Sequence, residues 1–140
     1  MANHAKDTLS RKGIRATRPR LAIFDALLSK NAPINIRELS RDPLLKNIDS
    51  VTIYRTLELF EKEGLVRHVE LGRREKHYES LLGRKDHHHV VCMSCKRVED
   101  FTGCNYAALA PRALKQVSGF ALITSHSFEL FGLCVPCSKK

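Results

Sequence analysis

Apolar residues recur every three or four positions between residues 18 and 29, a spacing that predicts an amphipathic helix. The apolar positions are Leu21, Phe24, Leu27 and Leu28. Thr17 is a candidate N-cap, and Pro19 fits the first turn because amide groups there have no partner within the helix. Upstream, residues 3–12 are polar and fit either a short helix or a loose arm.

A longer stripe ends at Gly64, with Ile53, Leu57 and Phe60 at i, i+4 and i+7, and it predicts a second amphipathic helix. Its candidate N-caps are Asp49 and Ser50. Tyr54 lies off the stripe, so we expect its side chain to be exposed rather than buried.

Three further segments complete the N-terminal half. Asn35 and Glu38 have capping-box spacing, which predicts a short helix over residues 36–41. Residues 65–71 and 76–79 read as short strands. Three helices followed by two strands are the outline of a winged helix, in which the helix beginning near residue 50 enters the major groove of DNA.

The C-terminal half predicts strands over 87–92 and 97–101, a helix over 105–117 and a strand over 120–131. Pro111 falls inside the helical segment, so the helix either begins there or kinks there. The prediction is an α+β chain. A winged-helix domain over residues 1–82 is followed by a hinge over 83–86 and a small α/β domain over 87–140.

The charge pattern favours a polyanionic partner. Lysine and arginine number 24 against 15 acidic residues, a formal net charge of +9, and residues 1–20 are strongly basic. Such a charge attracts nucleic acid, although a solvated basic tail would look the same. The sequence shows neither an apolar run of membrane-spanning length nor a signal-peptide pattern, so we expect a cytoplasmic protein that does not associate with a membrane.

Four cysteines form two CxxC pairs, Cys92 with Cys95 and Cys134 with Cys137. Four thiolates suit tetrahedral zinc with no open coordination position, which is a structural site. Two redox-active dithiols are the alternative, although nothing around them is typical of a thioredoxin motif. Cys104 stands apart and is either an ordinary small thiol or an additional ligand.

The order and spacing of several segments resemble those of the ferric uptake regulator (Fur) family of bacterial metal-dependent repressors. The segments are GIRATRPR at 13–20, SVTIYRTL at 50–57, EGLV at 63–66, the histidine-rich stretch ending in CMSC at 92–95, and FGLCVPC at 131–137. The resemblance implies a homodimer that represses transcription in its metal-bound form. The winged helices would bind double-stranded DNA at an inverted-repeat operator. The C-terminal domain would dimerise, and metal bound between the domains would set their angle.

The resemblance also implies a regulatory metal site. Glu79, His87, His89 and Asp100 match four of the family's ligand positions. The family's usual histidine near residue 33 is missing, and His68 or His77 is a candidate replacement. Mixed nitrogen and oxygen ligands suit Fe(II), Zn(II) or Mn(II), so the ligands do not fix the metal.

A third metal site is implied by Asp86, His88 and His126, which match ligands of a site in the family's dimerisation domain. The family's glutamate in that site aligns with Ala107, which cannot bind a metal. His87 and His89 alternate with His88, so a strand would place the two sites on opposite faces.

The expected DNA contacts are also carried over from the family. Thr52, Tyr54 and Arg55 match its recognition helix, and Arg15 matches a residue of the minor groove. The expected backbone contacts are Arg18 and Arg20, and the expected contacts from the wing tip are Arg73 and Arg74.

Several alternatives stay open. Within the family these are a zinc-uptake regulator and a peroxide sensor in which peroxide reacting at bound Fe(II) oxidises a ligand histidine; Asp100 resembles the peroxide branch. A DNA-binding protein with structural zinc and an inactive sensor site is another. An alternative of a different class is a small zinc-dependent hydrolase. The chain is short and basic and shows no pattern of a substrate pocket, so we expect a regulator without a small-molecule substrate.

Overall fold

The computed structural model describes residues 2–140. The chain divides into two units, one extending to Gly83 and the other spanning Arg84–Lys140. The division falls within the stretch expected to be a hinge. No helix in the described residues has the length and apolar character to span a membrane.

The N-terminal unit is built from helices and a small antiparallel sheet. In chain order its elements are α1 (Ala2–Arg11), α2 (Arg18–Leu28), β1 (Ile34–Asn35), α3 (Ile36–Leu39), a 3-10 turn (Pro43–Leu45), α4 (Ser50–Lys62), β2 (Val66–Val69) and β3 (His77–Ser80). The sheet order is β1-β3-β2. The expected winged helix is therefore confirmed, and the polar segment at the start forms a helix rather than a loose arm.

One apolar core holds the helices of this unit together. Phe24 of α2 and Phe60 of α4 are fully buried and meet edge to face, with ring centroids 5.6 Å apart. Leu9 of α1 and Leu57 of α4 are also fully buried. Burying each of these side chains contributes about 1.5–3 kcal/mol. The predicted stripe of α4 is buried, whereas that of α2 is only partly right: Ile23 and Ala26 are buried with Phe24 and Leu27, and Leu28 is exposed.

The ends of α4 and α3 follow the expected capping chemistry. The Asp49 side chain accepts a hydrogen bond from the Thr52 amide, 2.8 Å away, and this bond lowers the pKa of Asp49. Gly64 has φ +73° just beyond the helix, a conformation that favours glycine. Asn35 and Glu38 form the capping box. Thr17 occupies the N-cap position of α2, but its side chain makes no capping hydrogen bond.

The C-terminal unit is a three-stranded sheet with two helices. Its elements are β4 (His88–Cys92), β5 (Val98–Phe101), α5 (Tyr106–Gln116), β6 (Glu129–Gly132) and α6 (Val135–Ser138). The central strand β4 pairs antiparallel with β5 and parallel with β6. A parallel pair needs a crossover connection, and α5 lies in that connection.

One expectation for this unit is wrong, and one of the two alternatives for Pro111 is excluded. The strand predicted over 120–131 forms only from Glu129 onward, and residues 122–128 have no regular structure. The five-residue β4 offers β6 a ladder of only four pairs, from His89–Glu129 to Cys92–Gly132. The helix also does not begin at Pro111. It begins at Tyr106 and continues through the proline.

The C-terminal unit has a small apolar interior. Among its described residues, only Val91 and Cys92 are buried apolar side chains. The three histidines at positions 87 to 89 are also buried. Buried imidazoles need partners, so the stability of this unit depends on what those groups and the cysteines bind.

Candidate metal centres and nucleic-acid interface

The four CxxC cysteines lie together in the C-terminal unit, with all their sulfur atoms within 4.8 Å of one another. Cys92 ends β4, and Cys134 lies at the start of α6, two residues after Gly132. Gly132 pairs with Cys92 across the parallel ladder. Because side chains alternate along a strand, this register brings the second cysteine pair to the first.

The turn after β4 completes the cluster. The Lys96 amide donates to the Cys92 carbonyl at 3.0 Å, and Lys96 has φ +65°. This turn carries Cys95, whose sulfur lies 3.6 Å from that of Cys134. Tetrahedral zinc with bonds of about 2.3 Å to sulfur separates its thiolates by about 3.8 Å, so the cluster has the spacing of a structural zinc site.

Hydrogen bonds favour the thiolate form of one cysteine. The Cys134 amide donates to the Cys92 sulfur at 3.4 Å. That bond and a second one from the Cys95 backbone lower the pKa of Cys92 to about 5. The Cys137 amide acts in the same direction on Cys134, but burial and the neighbouring thiols outweigh it and raise the pKa of Cys134 to about 11. A divalent cation would remove this conflict because it attracts every thiolate at once.

A second group of ligands lies on one face of β4. The rings of His87 and His89 have centroids 5.1 Å apart. His89 pairs with Asp100 across the ladder, and its Nε2 lies 3.6 Å from the Asp100 carboxylate. The Nδ1 of His87 donates to the Lys85 carbonyl at 2.9 Å, which leaves Nε2 with the lone pair a metal ion needs.

Two residues beside this group were missed by the sequence analysis. Arg84 forms an ion pair with the Asp100 carboxylate, so the guanidinium charge already balances the charge of that carboxylate. Glu129 lies 3.9 Å from the Nδ1 of His89, because β6 pairs with β4 in parallel. A local sequence pattern cannot show that pairing, since 40 residues separate His89 from Glu129.

The remaining expected regulatory ligands lie in the N-terminal unit. Glu79 of β3 is buried and forms an ion pair with Arg67, with a nitrogen-to-oxygen distance of 2.6 Å. His68 is exposed on β2 and pairs with Glu61. The buried His77 donates from Nδ1 to the Glu75 carbonyl at 2.9 Å.

The opposite face of β4 carries a third group. His88 is buried, and its Nε2 lies 3.1 Å from the Nε2 of His126. The Asp86 carboxylate lies 3.5 Å from the same nitrogen of His126. Cys104 joins the two histidines, and the ligand atoms of these three residues lie within 4.8 Å of one another. The sequence had left open whether Cys104 is an ordinary small thiol or an additional ligand.

The exposed face of α4 is the strongest candidate for DNA contact. Tyr54 and Arg55 are exposed, whereas Ile53, Leu57 and Phe60 on the same helix are buried. A hydrogen bond to Glu58 raises the pKa of Tyr54, so its hydroxyl stays protonated. The Thr52 hydroxyl donates to Asp49 within the helix cap, at 2.8 Å.

The other expected DNA contacts are arginines that precede or follow α4 in the sequence. Arg15 and Arg18 are exposed, and the half-buried Arg20 donates to the Arg15 carbonyl at 3.0 Å. Arg73 and Arg74 lie between β2 and β3, at the tip of the wing. The exposed guanidinium groups of Arg15, Arg18 and Arg74 suit phosphate oxygens, which accept two hydrogen bonds from one arginine, whereas Arg73 is half-buried.

The family model of the ferric uptake regulator family matches residues 11–131. The peroxide operon regulator of Bacillus subtilis (strain 168) is 29% identical over 140 residues, covering 97% of this chain and 92% of that protein. This match spans both units.

Solved structures share the fold. The Helicobacter pylori ferric uptake regulator Fur, described with three functional metal-binding sites, has a TM-score of 0.75 at 18% identity and covers 100% of this chain and 95% of that chain. The Vibrio cholerae ferric uptake regulator has a TM-score of 0.69 at 26% identity, covering 92% and 98%. The chain belongs to the ferric uptake regulator family, whose members are metal-binding transcription regulators that bind DNA as dimers and are not enzymes.

Proposed function

We propose that this protein is a homodimeric repressor that binds an inverted-repeat operator more tightly when a regulatory metal is bound. The observation that carries the proposal is the division of α4 into two faces. Tyr54 is 41% exposed, whereas Ile53 and Leu57 are fully buried. A helix that packs on one face and presents tyrosine and arginine on the other is suited to the major groove.

Tyr54, Arg55 and Thr52 would contact base edges and nearby sugar atoms, with Arg55 as the main sequence reader. Arginine binds guanine with two hydrogen bonds, and such a pair contributes about 1–3 kcal/mol of discrimination. The proposed contacts to phosphates and the minor groove come from Arg15, Arg18, Arg20, Arg73 and Arg74. They would set the register of the protein on the duplex and make its affinity depend on salt.

Dimerisation is proposed for the C-terminal unit, which exposes many large apolar side chains. Six of them are Val90, Leu109, Phe120, Leu130, Phe131 and Leu133. Large exposed apolar patches are unusual on monomers, and a second copy would cover them. Two copies also match the two half-sites of an inverted repeat.

Structural zinc is proposed at Cys92, Cys95, Cys134 and Cys137. The regulatory metal is proposed at His87, His89 and Asp100 with Glu79 as a further ligand, and His68 as a candidate addition. The ion would be Fe(II), Zn(II) or Mn(II), which imidazole and carboxylate ligands all accept. Binding there would separate Asp100 from Arg84. Asp86, His88 and His126 are the proposed third site.

A peroxide sensor is the second candidate, and the relative from Bacillus subtilis favours it. Treating the iron-loaded protein with hydrogen peroxide would then add one oxygen atom to His87 or His89, and repression would be lost. Peptide mass spectrometry after anaerobic loading distinguishes the two candidates. If the histidines stay unmodified and DNA binding is retained, peroxide sensing is excluded and metal sensing is the remaining candidate.

The test begins with selection of DNA from a random pool by the zinc-containing protein in the presence of Mn(II). An inverted repeat is the expected product, and its absence contradicts the proposal. Fluorescence anisotropy then compares Arg55→Ala with Arg112→Ala, which removes an exposed arginine from α5. We expect a loss of about 1–3 kcal/mol per half-site only for Arg55→Ala.

A double variant, His87→Ala/His89→Ala, tests the switch. We expect the folded, zinc-containing variant to bind the selected DNA weakly and to ignore added Mn(II). If it binds as tightly as the parent does in Mn(II), the regulatory site does not exist, and the protein is a DNA-binding protein with structural zinc only.

A further inference from the structure

We propose that Cys104 is a metal ligand and that it completes, with His88, His126 and Asp86, a thiolate-containing zinc site on the face of β4 opposite His87 and His89. The inference rests on the third ligand set of the proposed function. It adds a sulfur ligand and, through that ligand, the class of metal that the site selects.

The distances fit one ion. A tetrahedral zinc ion with bonds of about 2.0–2.1 Å to nitrogen and about 2.3 Å to sulfur separates two nitrogens by about 3.3 Å and a nitrogen from a sulfur by about 3.6 Å. The Nε2 atoms of His88 and His126 are 3.1 Å apart. Cys104 and the two histidines have their ligand atoms within 4.8 Å, so a small side-chain movement closes the set around an ion.

The backbone brings Cys104 to the histidines through the turn that follows β5. Gly103 has φ +95°, a conformation that L side chains rarely adopt. Gly103 lies in the connection between Phe101, at the end of β5, and Tyr106, where α5 begins. Cys104 therefore lies beside β4, although 15 residues separate it from His89 in the sequence.

Aromatic neighbours hold both imidazoles in place. The ring of His126 stacks on that of Tyr106, with centroids 4.2 Å apart and planes 16° apart. The ring of His88 lies 5.6 Å from Phe101 and 5.7 Å from Phe128. His88 is only 1% exposed. Ligands that are already fixed by packing lose little conformational entropy when they bind an ion.

The fourth ligand is Asp86, whose carboxylate lies 3.5 Å from the Nε2 of His126. The side chain of Asp86 is 59% exposed, so it can approach the ion from the solvent side. Ala107 stands in the first turn of α5 and offers no ligand atom. The thiolate of Cys104 supplies the anionic ligand that an alanine at position 107 lacks.

The ligand chemistry selects the metal. Two imidazoles with a thiolate and a carboxylate are softer than the nitrogen and oxygen ligands of the regulatory site. Thiolates favour Zn(II) and its spectroscopic substitute Co(II) over Mn(II). The two faces of β4 would therefore differ in metal preference, with zinc held at Cys104 and a wider choice of ions at His87 and His89.

The experiment is a Co(II) titration of the full chain, with zinc already bound at the four CxxC cysteines. Thiolate coordination gives Co(II) an intense sulfur-to-metal charge-transfer absorption, which nitrogen and oxygen ligands do not give. We expect this absorption in the parent and in Thr102→Ala, an exposed neighbour in the same turn. We expect it to be absent in Cys104→Ala, with cobalt affinity at the site lowered at least about tenfold. Added Zn(II), but not Mn(II), should remove the absorption from the parent.

Three outcomes overturn the inference. They are no charge-transfer absorption in the parent, an absorption that Cys104→Ala retains, and cobalt affinity that Cys104→Ala leaves unchanged. Cobalt that replaced zinc at the CxxC cysteines would also give a charge-transfer absorption, even in Cys104→Ala. The zinc released during the titration is therefore measured, and an absorption that accompanies zinc release is assigned to the CxxC cysteines. His126→Ala separates two failures: if it loses a cobalt ion while Cys104→Ala does not, the third site exists without the thiolate. A protein that fails to bind operator DNA can still show the cobalt absorption, so failure of the proposed function does not decide this test.

Discussion

Removal of zinc should unfold the C-terminal unit and leave the N-terminal unit folded. The reason is the difference between their interiors. Fifteen buried apolar residues form one cluster in the N-terminal unit, whereas Val91 and Cys92 are the buried apolar side chains among the described residues of the C-terminal unit. Zinc binding, together with apolar burial against a second copy, therefore has to supply most of the free energy that orders the C-terminal unit.

The magnitudes support this division. Burial of a large apolar side chain contributes about 1.5–3 kcal/mol, whereas ordering each residue costs about 1–2 kcal/mol. Two buried side chains cannot offset that cost for a unit of this size. A four-cysteine zinc site contributes about 10–16 kcal/mol at neutral pH in zinc-finger peptides. Stripping the metal thus removes a stabilising contribution larger than that of the apolar side chains buried within one protomer.

The assay is circular dichroism during titration with a zinc chelator, followed by thermal unfolding. In the C-terminal unit, α5 and α6 carry 11 and 4 residues, a little over a quarter of the α-helical residues described. We expect the chelator to remove about that share of the helical signal. The rest should melt later in one transition, and dimers should dissociate as zinc is lost.

Phe60→Leu is the reciprocal control. It disturbs the edge-to-face pair with Phe24 and should lower only the transition of the N-terminal unit. Loss of the whole helical signal in one step on chelation would refute the reasoning, because it would show that the units do not fold separately. Retention of the full signal after complete zinc removal would show that zinc does not stabilise the C-terminal unit.

Three further predictions concern the N-terminal unit. Gly64→Ala should destabilise it by about 1–2 kcal/mol in urea unfolding, because Gly64 has φ +73°, whereas Gly119→Ala meets neither strain nor a neighbouring atom and should have little effect. Asn35→Ala should cost about 0.5–2 kcal/mol in the same assay, since it removes the capping box of α3, and an unchanged midpoint would count against that box. Arg18→Ala should weaken binding to all duplexes alike and reduce the slope of log affinity against log salt by about 1 per protomer; an effect confined to one sequence would contradict phosphate contact.

Much of the N-terminal unit could be predicted from the sequence because its helices pack through one stripe each. Ile53, Leu57 and Phe60 form the apolar part of the buried face of α4, which Thr56 completes. The two-residue β1 could not be found, because Ile34 and Asn35 are too few to show a strand pattern. They form a strand through their pairing with β3, which is a tertiary effect.

In the C-terminal unit, ligand spacing within a motif was visible and long-range pairing was not. The two CxxC motifs can be recognised from their spacing alone, and the alternation of side chains along a strand places His88 on the face opposite His87 and His89. By contrast, Glu129 comes near His89 only through a parallel pairing. Cys104 comes near His88 only through the turn at Gly103. No local sequence pattern predicts that Glu129 lies near His89 or that Cys104 lies near His88.

The central strand β4 has a consequence for metal homeostasis. Its successive histidines face opposite sides of one sheet, so an ion that shifted His89 would also shift the backbone that carries His88. Affinities measured one metal at a time would then misstate the behaviour of the protein in a mixture of metals. Thermodynamic linkage requires that whatever factor zinc at one face imposes on manganese at the other, manganese imposes on zinc. The protein would then respond to the combination of the two metals rather than to the abundance of one.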